Sequence, residues 1–267
     1  MNMQFKQLQR GFTLVEMAIV LVIFGLLLAA LLVPLQAQRD LSLKTETNST
    51  LNVARKALLG FAQSQLRLPC PATAASNGAE SPVGGGACAQ QVGFLPAATL
   101  GIQPVDAQGF VLDGWNNRIR YAVTQSSSVL IVNPITPDFT SNIADNIATP
   151  LVNEADGMSA LGVINLTPNL RACGTSTVAN CSAATNLINN AVAVIYSLGA
   201  TGALATGGAD ETENLNAVNV AGILTDTVFV GHDPTATGAP NGEFDHIVTW
   251  ISPFVLYNAM IEAGQLH

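Results

Sequence analysis

Charge is scarce in this chain. Asp, Glu, Lys and Arg make up 10% of its 267 residues, against about 25% in an ordinary globular protein. That excludes both a charged disordered chain and a highly charged cytosolic helical bundle. Basic residues are the scarcer kind, 10 Lys and Arg against 18 Asp and Glu, for a formal charge of −8. Recognition of a DNA or RNA backbone depends on basic patches, so this balance argues against nucleic acid as a partner. Histidines number three. No Gly-x-Ser-x-Gly elbow, His-Glu-x-x-His pair or Gly-x-x-x-x-Gly-Lys loop occurs. A Ser252, His246, Asp245 set can be drawn, as in most proteins, and the expectation is that the chain is not an enzyme. What is abundant is hydrophobic residues, 49%, with 23 Gly and much Asn, Ser, Thr and Gln. This is a composition for loop-rich β structure outside the cytosol.

The N-terminus carries most of the information. Residues 1–11 hold Lys6 and Arg10 and no acid; from Phe12 to Leu35 the chain is apolar apart from Thr13 and Glu16. As a helix this run extends about 36 Å, enough to cross a hydrocarbon core of about 30 Å. Basic residues before the run place the N-terminus in the cytoplasm and the remainder outside. A secretory signal peptide is one alternative, but its apolar region is shorter and ends in small-x-small, whereas Leu35-Gln36-Ala37 begins with a large residue. A plain signal anchor explains the length and leaves Glu16 without a purpose, although a carboxylate in a membrane helix is costly and usually functional.

Gly11-Phe12-Thr13-Leu14-Val15-Glu16 followed at once by an apolar helix resembles the cleavage and methylation site of type IV pilins and type II secretion pseudopilins. The resemblance implies that a prepilin peptidase cuts after Gly11 and that Phe12 becomes the N-methylated first residue. It also implies that Glu16 pairs with the Phe12 ammonium of a neighbouring subunit during assembly. In a low-dielectric setting an unpaired charge is penalised far more than a pair, so that contact fixes register. Gly25 and Pro34 are expected helix breakers within or just past the run; close packing is the alternative role of Gly25.

Beyond the span, apolar or small residues at Leu51, Ala54, Leu58 and Phe61 or Ala62 recur near the helical period. They predict an amphipathic continuation over 36–66 that packs on a head, with a weak spot at 45–50, where propensity is poor. A break near Pro34 or residue 48 is the alternative. Arg67-Leu68-Pro69-Cys70-Pro71 ends the helix. Residues 72–91 and 199–219 read as loops. Strands are predicted at 119–124, 129–132, 161–166, 191–198, 227–230 and 246–251. Ser252-Pro253 opens a short C-terminal helix, and Gly264 stops it. The fold class is therefore α+β: a long N-terminal membrane-spanning helix packed on an antiparallel β-sheet head, pilin-like, with a short C-terminal helix. The domains are a leader at 1–11, a transmembrane and filament-core helix at 12–35, its continuation at 36–66 and a periplasmic head at 67–267. A second segment, Asp113-Gly114-Trp115 through Tyr121, resembles the Asp-Pro-Trp-Gly-x-x-x-x-Tyr turn of major pseudopilins, with Gly114 for Pro and Asn116 for Gly. Trp115 and Tyr121 are expected core anchors.

The four cysteines, Cys70, Cys88, Cys173 and Cys181, lie beyond the span, in an oxidising compartment on this topology. Three pairings exist; proximity favours Cys70–Cys88 and Cys173–Cys181. Zinc is the rival, without a Cys-x-x-Cys to support it. Asp233, Glu243 and Asp245 occupy one Gly/Pro/Asn loop, and Asp210, Glu211, Glu213 and Asn214 another. Oxygen-rich loops suit Ca²⁺, and major pseudopilins resemble this chain in carrying a calcium loop near the C-terminus. Asp233, Glu243 and Asp245 are the candidate calcium ligands; a solvated acidic surface, or a transition-metal site with His232 and His246, are the alternatives.

The expectation is a structural subunit of a type II secretion pseudopilus or type IV pilus. The size suggests a minor one, held in the bacterial inner membrane with a periplasmic head before assembly. Its partners are other pilins, a prepilin peptidase and an inner-membrane assembly platform. A tip subunit acting as an adhesion module is the rival from another class, and a membrane-tethered enzyme is a third.

Overall fold

In the computed structural model the structure describes residues 11, 13–124, 138–142, 157–175, 181–182, 184–202, 207–216, 219–220, 223–224 and 226–266, with side chains left undescribed at 29–37, 219–220 and 223–224. The predicted strand at 129–132 lies outside these residues. The chain divides into two compact units, Met1–Lys44 and Thr45–His267, a division that falls inside the expected 36–66 segment.

Helix α1 runs Leu14–Gln65. It continues through Gly25, Pro34 and the segment 45–50, so the breaks expected at those places are absent. At 45–50 tertiary bonds offset poor propensity: Thr47 is fully buried and its hydroxyl accepts from the Gly114 N–H at 2.9 Å. The Thr50 hydroxyl donates to the Glu46 carbonyl. In the first unit, Leu14, Val20, Phe24 and Leu28 are all about half exposed or more. Among the described residues no helix is long and apolar enough to cross a membrane. Residue 12 and the side chains of 29–35, which belong to the expected span, lie outside the description.

In the second unit Thr47, Leu51, Ala54, Leu58 and Ala62 form the buried stripe of α1. The helix ends where Leu66 takes a positive φ of 64°. The chain then gives β1 (Val92–Phe94), α2 (Ala97–Leu100), β2 (Arg120–Val123), α3 (Met158–Leu161), a 3-10 turn (Val163–Asn165), β3 (Leu170–Cys173), β4 (Asn186–Ala191) and β5 (Ala193–Ser197). There follow α4 (Ala209–Leu215), β6 (Asn219–Val220), β7 (Ile223–Leu224), β8 (Val228–Val230), β9 (Ile247–Ile251) and α5 (Pro253–Glu262). The main sheet is antiparallel, in the order β1-β2-β5-β9. One core cluster unites the α1 stripe with Tyr121, Ile195, Ile251, Leu256 and Met260. The other unites Val194 and Tyr196 with Leu170 and Phe229, from a second sheet ordered β4-β3-β8. β5 is buried throughout, since alternate residues of a strand serve opposite faces and both faces here meet a core.

The strands predicted at 119–124, 191–198, 227–230 and 246–251 contain β2, β5, β8 and β9. The run 161–166 instead folds as α3 and the 3-10 turn, because Gly162, at φ 68°, splits it. Ser252 caps α5, its hydroxyl accepting from the Val255 N–H. Tyr121 is fully buried; Trp115 is half-buried. Disulfides join Cys70 to Cys88 and Cys173 to Cys181.

Candidate functional site

Two places carry the sequence-predicted functional residues. The first is the start of α1. The Thr13 N–H and hydroxyl both donate to Glu16 Oε2, each at 2.9 Å, and the Glu16 N–H donates to Thr13 Oγ1 at 3.2 Å. This reciprocal arrangement is a capping box, which satisfies helix-end donors that otherwise have no partner. Its signature is legible as Thr-x-x-Glu before an apolar run, a reading separate from the processing motif that shares the residues. Glu16 Oε1 accepts no hydrogen bond among the described residues, and Gly11 is exposed. Phe12 lies outside the described residues.

The second place is built from turns. Asp113 Oδ1 accepts from the N–H groups of Trp115 and Asn117, closing the 113–117 turn. Its Oδ2 accepts from the Ser197 hydroxyl at the end of β5. Ser197 Oγ in turn accepts from the Gly199 N–H, and Asn117 Nδ2 donates to the Gly199 carbonyl. The Trp turn thereby fixes the loop that leaves β5. That loop meets Asp245, just before β9: the Thr201 N–H donates to Asp245 Oδ2 at 2.8 Å, and the Asp245 N–H donates to Glu211 Oε1 at 2.8 Å. Gly199 has φ +64°, and a Cβ there would collide with the Asp245 carboxylate; a Cβ on Gly207 would collide with that of Glu211. Glycine is therefore required at both positions to let two carboxylates approach.

Glu211 is 2% exposed. Burial pushes its carboxyl up, opposed by the Asp245 N–H and reinforced by the Asp245 charge. Asp245 Oδ1 is buried and has no hydrogen-bond partner among the described residues. Ligand atoms of Glu211, Asp245 and His246 lie within 4.8 Å of one another. His246, however, is already committed. Asn214 Oδ1 accepts from the Val230 N–H at 2.7 Å and Asn214 Nδ2 donates to the Val230 carbonyl, so the amide is oriented. Its second N–H faces His246 Nδ1 at 3.1 Å. Nδ1 must accept, and Nε2 then carries the proton rather than a free lone pair. Two carboxylates remain, a donor set for a hard, oxygen-preferring cation.

Of the predicted ligands only Asp245 sits in this cluster. Asp233 is exposed, and Glu243 accepts from the Thr237 hydroxyl at 3.0 Å. His232 pairs with Asp210 at 3.2 Å. The second member, Glu211, lies on α4, in a stretch that reads as loop; no sequence signal joins it to Asp245, because Gly199 and Gly207 create the approach.

Residues 6–32 match the family model for the prokaryotic N-terminal methylation motif, the signature of type IV pilins and pseudopilins. That motif implies processing by a prepilin peptidase and assembly with other pilins. No curated protein and no solved structure matches the chain.

Proposed function

We propose that this chain is a structural subunit of a type IV pilus or type II secretion pseudopilus, a minor one by its size, with no catalytic role. The observation that carries the reading is the methylation motif over residues 6–32. A prepilin peptidase cuts after Gly11, and Phe12 becomes the methylated N-terminus. The apolar run then holds the subunit in the bacterial inner membrane, with the Thr45–His267 unit in the periplasm. On assembly the run exchanges lipid for neighbouring helices, one apolar environment for another.

The capping box refines the part played by Glu16. Oε2 serves the helix's own Thr13, which leaves Oε1 for the Phe12 ammonium of a neighbour. Intact mass after co-expression with a prepilin peptidase tests the reading. The expected product lacks eleven residues and carries one added methyl, and Gly11→Ala blocks cutting. Glu16→Val is still cut and fails to enter filaments. A retained leader, or cutting near Ala37, overturns the reading.

Ca²⁺ is the proposed occupant of the Glu211–Asp245 pair. A cation there neutralises two mutually repelling carboxylates, that of Glu211 buried and that of Asp245 half-buried, and gives Asp245 Oδ1 a partner. Millimolar Ca²⁺ should raise the unfolding midpoint, by about 2–3 kcal/mol of stability at a hundredfold excess over the dissociation constant. Asp245→Asn should abolish the response, and Asp233→Asn should leave it intact. Equal responses in both variants would exclude this pair as the site.

A further inference from the structure

We propose that the face carrying Arg118 and Arg120 binds the acidic tongue 233–243 of a second copy of this chain, head to tail. The proposal rests on the filament-subunit reading.

The receiving face is an ordered platform. The Phe94 and Phe110 rings stand 5.0 Å apart, inclined at 59°. The Arg118 guanidinium lies 4.2 Å from the Phe110 ring centre, and that of Arg120 lies 4.5 Å from the Phe94 ring centre. Arg118 is already engaged, by Asp106 at 2.9 Å and by Gln108. Arg120 is half-buried on β2, and among the described residues it has neither a carboxylate partner nor a hydrogen-bond acceptor. A guanidinium carries five N–H donors in a planar fork. When a ring already restricts its rotamers, less freedom is lost on binding a carboxylate.

The tongue offers carboxylates on a held frame. Thr235 and Phe244 exchange backbone hydrogen bonds at 2.9 and 3.1 Å. The Thr235 hydroxyl donates to the Gly242 carbonyl, and the Ala209 and Gly208 N–H groups donate to the Asn241 and Glu243 carbonyls. Asp233 is exposed and Glu243 half-exposed. Neither makes an ion pair among the described residues.

Charge complementarity selects the occupant. Copies of a chain with a formal charge of −8 repel one another, so close contact needs a locally opposite pair of surfaces. Arg120, whose charge is not paired by a carboxylate among the described residues, and the acidic tongue are such a pair. They are different patches of one molecule, so two copies can exchange the contact in a closed pair, or each copy can engage two neighbours and leave a free platform at one end and a free tongue at the other.

The test uses the full chain in detergent, with self-association followed by sedimentation at low and high salt. Wild type should associate, and more weakly as salt rises. Arg120→Glu and Glu243→Arg should each weaken association about tenfold or more, and Arg120→Lys less. The decisive arm is an equimolar mixture of Arg120→Glu and Glu243→Arg, which should recover association because each restores the other's contact. Unfolding midpoints and intact disulfides confirm that the variants fold. A monomeric wild type, an Arg120→Glu variant that associates normally, or a mixture that fails to recover would overturn the proposal. Cutting and methylation by the peptidase, read by mass, are independent of this contact. A processed chain that does not self-associate therefore defeats only the contact, whereas an uncut chain defeats the subunit reading.

Discussion

Asn214 governs what His246 does. Its amide is oriented by both polar groups of the Val230 backbone, so the imidazole is held neutral with its proton on Nε2. Burial, against the opposing pull of Asp245, lowers the His246 pKa from 6.5 to about 4. The unfolded chain therefore takes up this proton first as pH falls. Stability contributed by neutral His246 is complete above pH 6.5 and is lost progressively down to pH 4. The loss amounts to about 3 kcal/mol at most, at about 1.4 kcal/mol per pH unit. Glu211 works in the opposite sense: its raised pKa means that the folded state binds the proton more readily, so protonation in the ordinary carboxylate range is stabilising. His246→Gln should flatten the upper part of the profile and leave the carboxylate part unchanged. Denaturant unfolding across this pH range reads both; an unaltered slope in His246→Gln would contradict the assignment. Glu211→Gln should stabilise the protein in chelator and remove the gain from Ca²⁺.

At the scale of elements, what was legible followed from periodicity and chain-breaking chemistry. The α1 stripe, the stop before Pro69, the strand cores at β2, β5, β8 and β9 and the Ser-Pro start of α5 each have a local cause. The departures from it have mixed causes. Gly25 and Pro34 read as breaks, yet α1 runs through them. Gly162 turned an apolar run into two short helical turns. Helix α4 is short and lies between Gly208 and Asn216 in a Gly-rich stretch; its start is held by Asn241 and Glu243 carbonyls from a distant loop, and with it Glu211 reaches Asp245. The Cys70–Cys88 loop shows how such non-local support works. Glu80, 3% exposed, accepts two bonds at 2.7 Å from Arg67 and further bonds from the Cys70 and Gly84 N–H groups. Removing it strands a buried guanidinium and two backbone donors. Glu80→Ala should cost about 3–5 kcal/mol in urea unfolding, far more than Glu262→Ala on the exposed face of α5. Equal costs would mean that the ion pair is not what holds this loop.

At the scale of the whole molecule, the two units differ in what they require of their surroundings. From Leu14 to Leu28 the large apolar side chains are 47–89% exposed. They stand on several sides of the helix rather than along one stripe, so one packed face would not cover them. An apolar surface of that extent calls for lipid or partner helices. The Thr45–His267 unit, in contrast, contains both core clusters and both disulfides. The Thr47–Gly114 bond pins its first helical turn. A fragment beginning at Thr45 should therefore remain in aqueous solution, form Cys70–Cys88 and Cys173–Cys181, and unfold cooperatively, while the full chain partitions into detergent or membrane. Adding Ca²⁺ should raise the fragment's midpoint as it does that of the full chain, because Glu211 and Asp245 both lie within it. Phase partitioning and disulfide mapping of the fragment decide the matter. A fragment that precipitates with scrambled disulfides would mean that residues before Thr45 take part in folding the head. A full chain that stays in water without detergent would mean that the exposed apolar run is covered by something other than lipid.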